Sequence, residues 1–324
     1  MNATTLPSSS RTAEPPGDAA SVLQRHGKSF HFAGQLLDRR TFDRCARLYR
    51  FCRFVDDLGD TLPVSAEVEE ILSQTKADLD RGKSENPWVI DFLELADECG
   101  FDPAPASALV EGVLGDLGEV QFGRERELDR YAYRVAGTVG LLMCGVFSVK
   151  EKRAFHHAID LGMAMQFTNI ARDVCEDATM GRRYLPAAFF DQLPGMPELA
   201  QGNPAARPAM AQAVLRLLEK ADRHYQSGVA GLAYLPWRAR MGILVASKVY
   251  QAIGTRIRSL DGHVWKGRAV VSPRRKVAIA SRELGRFFFS RRLWRIRGEH
   301  DASLHRYLDG LPLVNRPDEK GGKQ

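Results

Sequence analysis

Apolar residues recur at spacings of three and four through most of the chain after Ser21, the period of helices that bury one face. The pattern predicts helices over 41–59, 66–80, 107–122, 128–149, 153–175, 208–235 and 238–260. Strand-like alternation is scarce. Breaks fall at Pro63, Asn86-Pro87, Pro103, Pro105 and Gly123, where a helix should stop. The segment DQLPGMPELAQGNPAARP (191–208) reads as a Pro/Gly loop too long for a simple connector. No repeat of fixed period appears, which argues against a solenoid. The expectation is an all-α, single-domain bundle over 21–300. A disordered Ser/Thr/Ala/Pro-rich tail precedes it at 1–20, and a polar C-terminal tail follows at 301–324.

Composition narrows the class. The 44% hydrophobic and 27% charged residues belong to a globular chain. Five cysteines, at 45, 52, 99, 144 and 175, form no CxxC pair, which is wrong for a zinc ribbon or a disulfide scaffold and fits a reduced cytosol. The first twenty residues lack the apolar stretch of a secretory signal. The longest nearly apolar run, 135–149, is shorter than the ~20 residues a spanning helix needs. These features predict a cytoplasmic protein.

The net charge of +6 is unevenly spread. Residues 236–300 hold 16 Lys and Arg against 3 Asp and Glu, whereas the remainder holds 30 against 37. The basic third suits an anionic partner, whether diphosphate, membrane surface or nucleic acid; a solvated basic face would look the same.

Two aspartate clusters change the picture. RFCRFVDDLGD carries Asp56, Asp57 and Asp60, and NIARDVCED carries Asp173 and Asp177. Residues four apart stack on one helix face, so each cluster makes a carboxylate ridge among apolar neighbours such as Phe51, Val55, Phe167 and Ile170. Clustered carboxylates on partly buried helices need a compensating cation. The first ridge continues through Tyr49 and Arg53, and the second through Gln166 and Asn169. Every metal-capable atom is an oxygen and no ExxH pair occurs, which suits Mg²⁺ rather than zinc or di-iron. Mn²⁺ is the substitute the same oxygens would accept. Two such ridges predict facing helices holding Mg²⁺ between themselves and a diphosphate.

The stretches HGKSF (26–30), LYRFCRFVDD (48–57), YAYRVAGTVG (131–140) and LGMAMQFTNIARDVCEDATMGRRYLP (161–186) resemble the squalene/phytoene synthase family, most of all its bacterial phytoene synthases. The likeness spans about 22–290. It implies the isoprenoid-synthase bundle around a central cavity and Mg²⁺-dependent head-to-head condensation of two prenyl diphosphates. It further implies that Ser29, Arg53, Arg172, Tyr250 and Arg268 grip diphosphate oxygens, a task suited to the arginine fork. By the same resemblance His26 lies at the diphosphate end, Tyr184 contacts substrate, and Asp116 matches an acidic position. Tyr131 is the aromatic expected near the cation or its departing proton. Phe30, Val135, Leu141 and Met165 are candidates for the apolar wall that a carbocation needs. Gly137 and Gly140 suggest a bend or a close approach, and GRRYLP with the loop after it reads as a closing flap.

The leading expectation is phytoene from two geranylgeranyl diphosphates, with no NADPH. Gly34 and Ala46, small residues flanking Ser29 and Tyr49, favour that longer substrate if they face the channel end. The alternatives are squalene or dehydrosqualene from farnesyl diphosphate, or a non-catalytic assembly factor of the same fold. A nucleic-acid module leaves the ridges unexplained, so no nucleic-acid partner is expected. His300-Asp301 offers an HD dipeptide, but without partner motifs it supports no phosphohydrolase. The run RFFFSRRLWRIR (286–297), with Phe288, Arg291, Arg292 and Arg295 on one helix face, suits either a peripheral membrane contact or a packed helix with solvated arginines.

Overall fold

The computed structural model describes residues 18–60, 65–294 and 299–314, apart from the side chains of Arg291 and Arg292. Pro63 and Arg295 therefore lie outside the described residues, as do most of the expected N-terminal tail and residues 315–324. Helices begin where a short polar side chain can accept from a free backbone N–H. Asp38 opens α3 (Arg39–Gly59), following α1 (Ala19–His26) and α2 (Lys28–Gly34), and accepts from the Thr41 N–H at 3.0 Å. Ser65 caps α4 (Ala66–Arg81), and Asn86 caps α5 (Pro87–Cys99) with proline at its first position. Gly82 and Gly100 end these two helices at φ +66° and +67°.

Helix α6 (Ala104–Leu114) stops well before the expected residue 122. The chain instead turns through Gly115 and Gly118 into a short strand, β1 (Val120–Gln121), which pairs in parallel with β2 (Arg182–Arg183). The expected helix 128–149 is three pieces: α7 (Glu125–Ala132), a π turn (Tyr133–Gly137) and α8 (Thr138–Val146). Behind it runs α9 (Lys152–Thr179), 28 residues and so about 42 Å long. Its buried positions fall all round the helix, from Ile159 and Asp160 to Phe167 and Ala171, because neighbours cover every side. The π turn, α8, α11 (Arg207–Ala230) and α12 (Trp237–Arg258) all pack on it, with α10 (Met196–Gln201) between. The supposed loop 191–208 thus holds a short helix, anchored by the fully buried Leu199. After α12 come α13 (Pro273–Phe289) and α14 (Arg291–Trp294).

The described residues nearest each end carry more structure than composition suggested. Helix α1 starts at Ala19, two residues early. The expected polar tail from 301 is docked as far as 314: His305 and Leu308 are buried, Arg306 pairs with Glu125 at 2.9 Å, and the Tyr133 hydroxyl donates to the Pro312 carbonyl. Its few apolar side chains suffice because they enter a groove already made by α7 and α9.

Glycine allows the close approach of α8 and the π turn to α9. A Cβ on Gly140 would lie 2.2 Å from the Ala158 carbonyl oxygen, and one on Gly162 would lie 2.1 Å from that of Ala136. Gly162→Ala must push two backbones apart, and overpacking of this kind costs about 1–3 kcal/mol. Urea unfolding should show that loss; an unchanged midpoint would mean that the contact yields without strain.

Candidate active site

Helices α3 and α9 bring their polar ends together at one end of the bundle. Tyr49, Arg53, Asp56 and Asp57 lie on α3, with Asp60 as its C-cap; Gln166, Asn169, Arg172, Asp173 and Asp177 lie on α9. Asp116, just past α6, sits between the ridges, close enough that its charge acts on both Asp56 and Asp177. Enclosure raises the pKa of all three. Burial pushes Asp56 up to about 7; Arg53 opposes this, and Asp60, Asp57 and Asp116 add to it. The surface that Asp56 shows is turned into the cavity it lines, so protein still surrounds it. Burial, then Asp173 and Glu176, push Asp177 up to about 8. Burial also takes Asp116 to about 6, against the hydrogen bond from Tyr131 and the charge of Arg182.

The arginines are already engaged. Arg172 forks Asp173 at 2.8 and 2.5 Å, and Arg268, from the segment after α12, forks the same carboxylate at 3.0 and 2.9 Å. Arg53 pairs with Asp57. Arg182 lies 3.4 Å from Asp60 and donates to the Gly59 carbonyl at 2.7 Å, a cation closing the C-terminal end of α3. Asn169 Oδ1 and Asp116 Oδ1 are buried acceptors with no donor. Orphaned oxygens beside carboxyls raised by burial and by one another, with only oxygen ligands at hand, fit a hard divalent cation.

The polar end opens into a cavity of about 450 Å³. His26, Tyr49, Arg53, Asp56, Gln166 and Arg172 line one end, with Asn169 and Tyr250 beside them. Phe30, Val135, Val139, Met143, Met165 and Ile243 form the sides; Phe147, Ala154, His157 and Leu235 line the other end. From Arg172 to Ala154 the wall follows α9 for 18 residues, about 27 Å. This is a long apolar slot with one charged end.

Residues 23–275 match the family described as squalene/phytoene synthase. The chain belongs to that family. It is 34% identical over 284 residues to a phytoene synthase of Pseudescherichia vulneris, covering 82% of this chain and 91% of the other. It is 33% identical over 285 residues to a 15-cis-phytoene synthase of Pantoea ananas, covering 84% and 92%. A dehydrosqualene synthase solved in complex with ligand has the same fold, with TM-score 0.72 and 25% identity over 84% of this chain and 96% of that one.

Several expected positions differ in detail from the family-based reading. Tyr131 is off the cavity wall: its hydroxyl donates to Asp116 at 2.8 Å and its ring stacks on Tyr184 at 4.6 Å. The Ser29 hydroxyl accepts from Lys276 Nζ at 3.0 Å, which brings a further cation beside HGKSF. Leu141 packs in the core instead of the wall. Ala46 faces Ala19 and Leu23, and a Cβ on Gly34 would meet the Phe42 ring at 2.9 Å. Ala46 is thus small for packing and says nothing of chain length, whereas Gly34 lines the cavity beside Ala33 and Phe42, so its missing side chain leaves space there. GRRYLP is no free flap, because β2 is paired and Arg182, Arg183, Tyr184 and Leu185 are buried. Lys276 and Arg182 were missed. Lys276 was one charge among many in the basic third, whereas the Arg-Arg pair beside Tyr184 was a visible signal read as mobility.

The raised carboxyls carry a pH signature. Asp56 and Asp177 hold protons more tightly folded than unfolded, so their own contribution to stability falls as pH rises from about 4 to about 8. Without divalent cation, Asp177→Asn should melt above the wild type at pH 8 and lose that advantage near pH 4. A wild type that melts higher at pH 8 would contradict the burial argument.

Proposed function

We propose that this prenyltransferase condenses two geranylgeranyl diphosphates head to head into phytoene, through a cyclopropylcarbinyl diphosphate. The observation that carries this is the meeting of two carboxylate ridges at the charged end of a long apolar cavity. The kinship with proteins named phytoene synthase supports the substrate.

Asp56, Asp57, Asp60, Asn169, Asp173 and Asp177 would hold Mg²⁺. Bound there, the ion supplies charge neutralisation of the departing diphosphate, without a proton. Arg53, Arg172, Arg268 and Lys276 bind the diphosphate oxygens, with Ser29, Tyr250, His26, Tyr49 and Gln166 beside them. The arginines that now fork Asp173 exchange one oxyanion for another of the same geometry. The first C1–O bond breaks, and the double bond of the second substrate attacks the allylic cation. Loss of a proton closes the cyclopropane. A second ionisation, rearrangement and proton loss give the triene. No step reduces carbon, so NADPH is not required. The cavity wall keeps water from the cations, and Tyr131 with Asp116 and Tyr184 forms the proton-handling group at the charged end.

Asp56→Asn and Asp173→Asn should each lower turnover by ~100-fold or more while leaving the far-ultraviolet circular dichroism unchanged. Geranylgeranyl diphosphate and Mg²⁺, without NADPH, should yield phytoene as the identified hydrocarbon. Near-normal turnover in both variants, or turnover of farnesyl diphosphate alone, would refute the reading.

No helix among the described residues is long and apolar enough to cross a membrane. A surface contact is a separate part of the proposal. Phe288 and Phe289 are 65% and 90% exposed, and Trp294 is exposed nearby, within the basic third. Apolar side chains set among cations suit an anionic lipid surface. The double variant Phe288→Ala/Phe289→Ala should bind phosphatidylglycerol-containing vesicles more weakly than the wild type; equal binding would remove the contact.

A further inference from the structure

Five of the eight histidines in the chain gather away from the diphosphate end, around one buried carboxylate. Asp160 of α9 has no exposed surface. Its Oδ1 meets His224 Nδ1 at 2.9 Å and His305 Nε2 at 3.1 Å; its Oδ2 meets His300 Nε2 at 2.7 Å and accepts from the Ser227 hydroxyl at 2.5 Å. The His300 and His305 rings lie 4.4 Å apart, with His156 at 5.3 and 5.9 Å from them. His157 lies 3.0 Å from Ser227 through Nδ1. These groups come from three places: α9, α11 and the docked C-terminal segment.

We propose that Asp160, His300 and His305 bind a divalent transition metal, with Zn²⁺ the best fit. One ligand atom from each lies within 4.8 Å of the others. A tetrahedral zinc ion with ligands at about 2.0–2.2 Å needs donors roughly 3.3–3.5 Å apart; the Asp160–His300 and Asp160–His305 pairs, at 2.7 and 3.1 Å, would open slightly by side-chain rotation to admit the ion. Two borderline imidazoles with one carboxylate make a donor set that suits Zn²⁺ and not the Mg²⁺ of an all-oxygen site. The outer groups are also in place. His224 and Ser227 orient the carboxylate, as the partners of metal ligands do. His156 Nδ1 is buried without a partner beside the two ligand rings, an unused donor or acceptor at the rim.

The site would join distant parts of the chain. His300 and His305 belong to the segment whose other anchors include Arg306 on Glu125, Arg130 on two backbone carbonyls, the Tyr133 hydroxyl on the Pro312 carbonyl, and Leu308. The metal would clamp that segment to α9 and α11 directly behind His157, which lines the apolar end of the cavity. Its role is therefore structural: closure of the cavity at the end remote from the diphosphates.

The test uses the full chain, expressed without a polyhistidine tag, stripped with chelator and titrated with Zn²⁺ and with Co²⁺. The expected result is one tight equivalent per chain, a rise in Tm with Zn²⁺, and the intense visible bands of tetrahedral Co²⁺. Asp173→Asn/Asp177→Asn should keep this binding, which separates it from the oxygen site. His300→Ala/His305→Ala should abolish it. Ser227→Ala, a milder change, should weaken it about 10- to 100-fold. Absence of tight uptake by the wild type, or a six-coordinate Co²⁺ spectrum, would show a hydrogen-bonded Asp–His cluster only and overturn the proposal. So would uptake unchanged in both histidine and serine variants.

Discussion

Mutual repulsion among carboxylates is the constraint around which this bundle is built. Asp56, Asp60, Asp116, Asp173 and Asp177 converge from three separate stretches of chain, and Asp56, Asp116 and Asp177 hold protons far above the usual carboxylate range. In water such a group would disperse. Here α3 and α9 are held by packing along their apolar lengths, so the acidic ends have no freedom to part. The arginines reduce the strain without removing it. Arg172 and Arg268 both lean on Asp173, and Arg182 reaches Asp60, while at Asp177 burial and like charge outweigh the charge of Arg182. Under the proposed function, a diphosphate bound with cations would complete the balance. The arrangement thus stores a preference for its ligands in the fold itself.

The apolar slot depends on the same rigidity. Glycines let backbone meet backbone where side chains would have widened the bundle, so the space enclosed is set by main-chain contacts around Ala136 and Ala158. Walls of that kind do not relax to fit a tail of another length. The length of the open space is therefore set by the side chains facing the void.

The helices were legible in the sequence wherever one face was buried, and α3, α4, α11 and α12 lie close to their expected limits. Misreadings came from forces that spacing does not encode. Helix α6 was overrun because Val120 and Phe122 continue its apolar rhythm, although backbone pairing with 182–183 claims them. The docked C-terminal segment looked polar from its composition, yet His305 meets the buried Asp160 and the Asp309 carbonyl accepts from Arg130 of α7. The carboxylate ridges were legible because like charges at helical spacing are costly unless used. Lys276 had no such signal: its nearness to Ser29 arises only when α13 folds back across α2.

The π turn at Tyr133–Gly137 has a geometric meaning of its own. One extra residue in a helical turn rotates everything on one side of it by about 100° relative to the other. Tyr131, on the N-terminal side, points at Asp116, while Gly140, on the C-terminal side, lies against the backbone of α9. A regular helix through the same residues could satisfy one of these alignments but not both. The turn acts as a phase shifter between a face that meets the carboxylates and a face that packs on α9. The register of this segment is thus inherited as a single unit: a one-residue deletion within 133–137 would leave composition and helicity almost untouched yet uncouple the two faces.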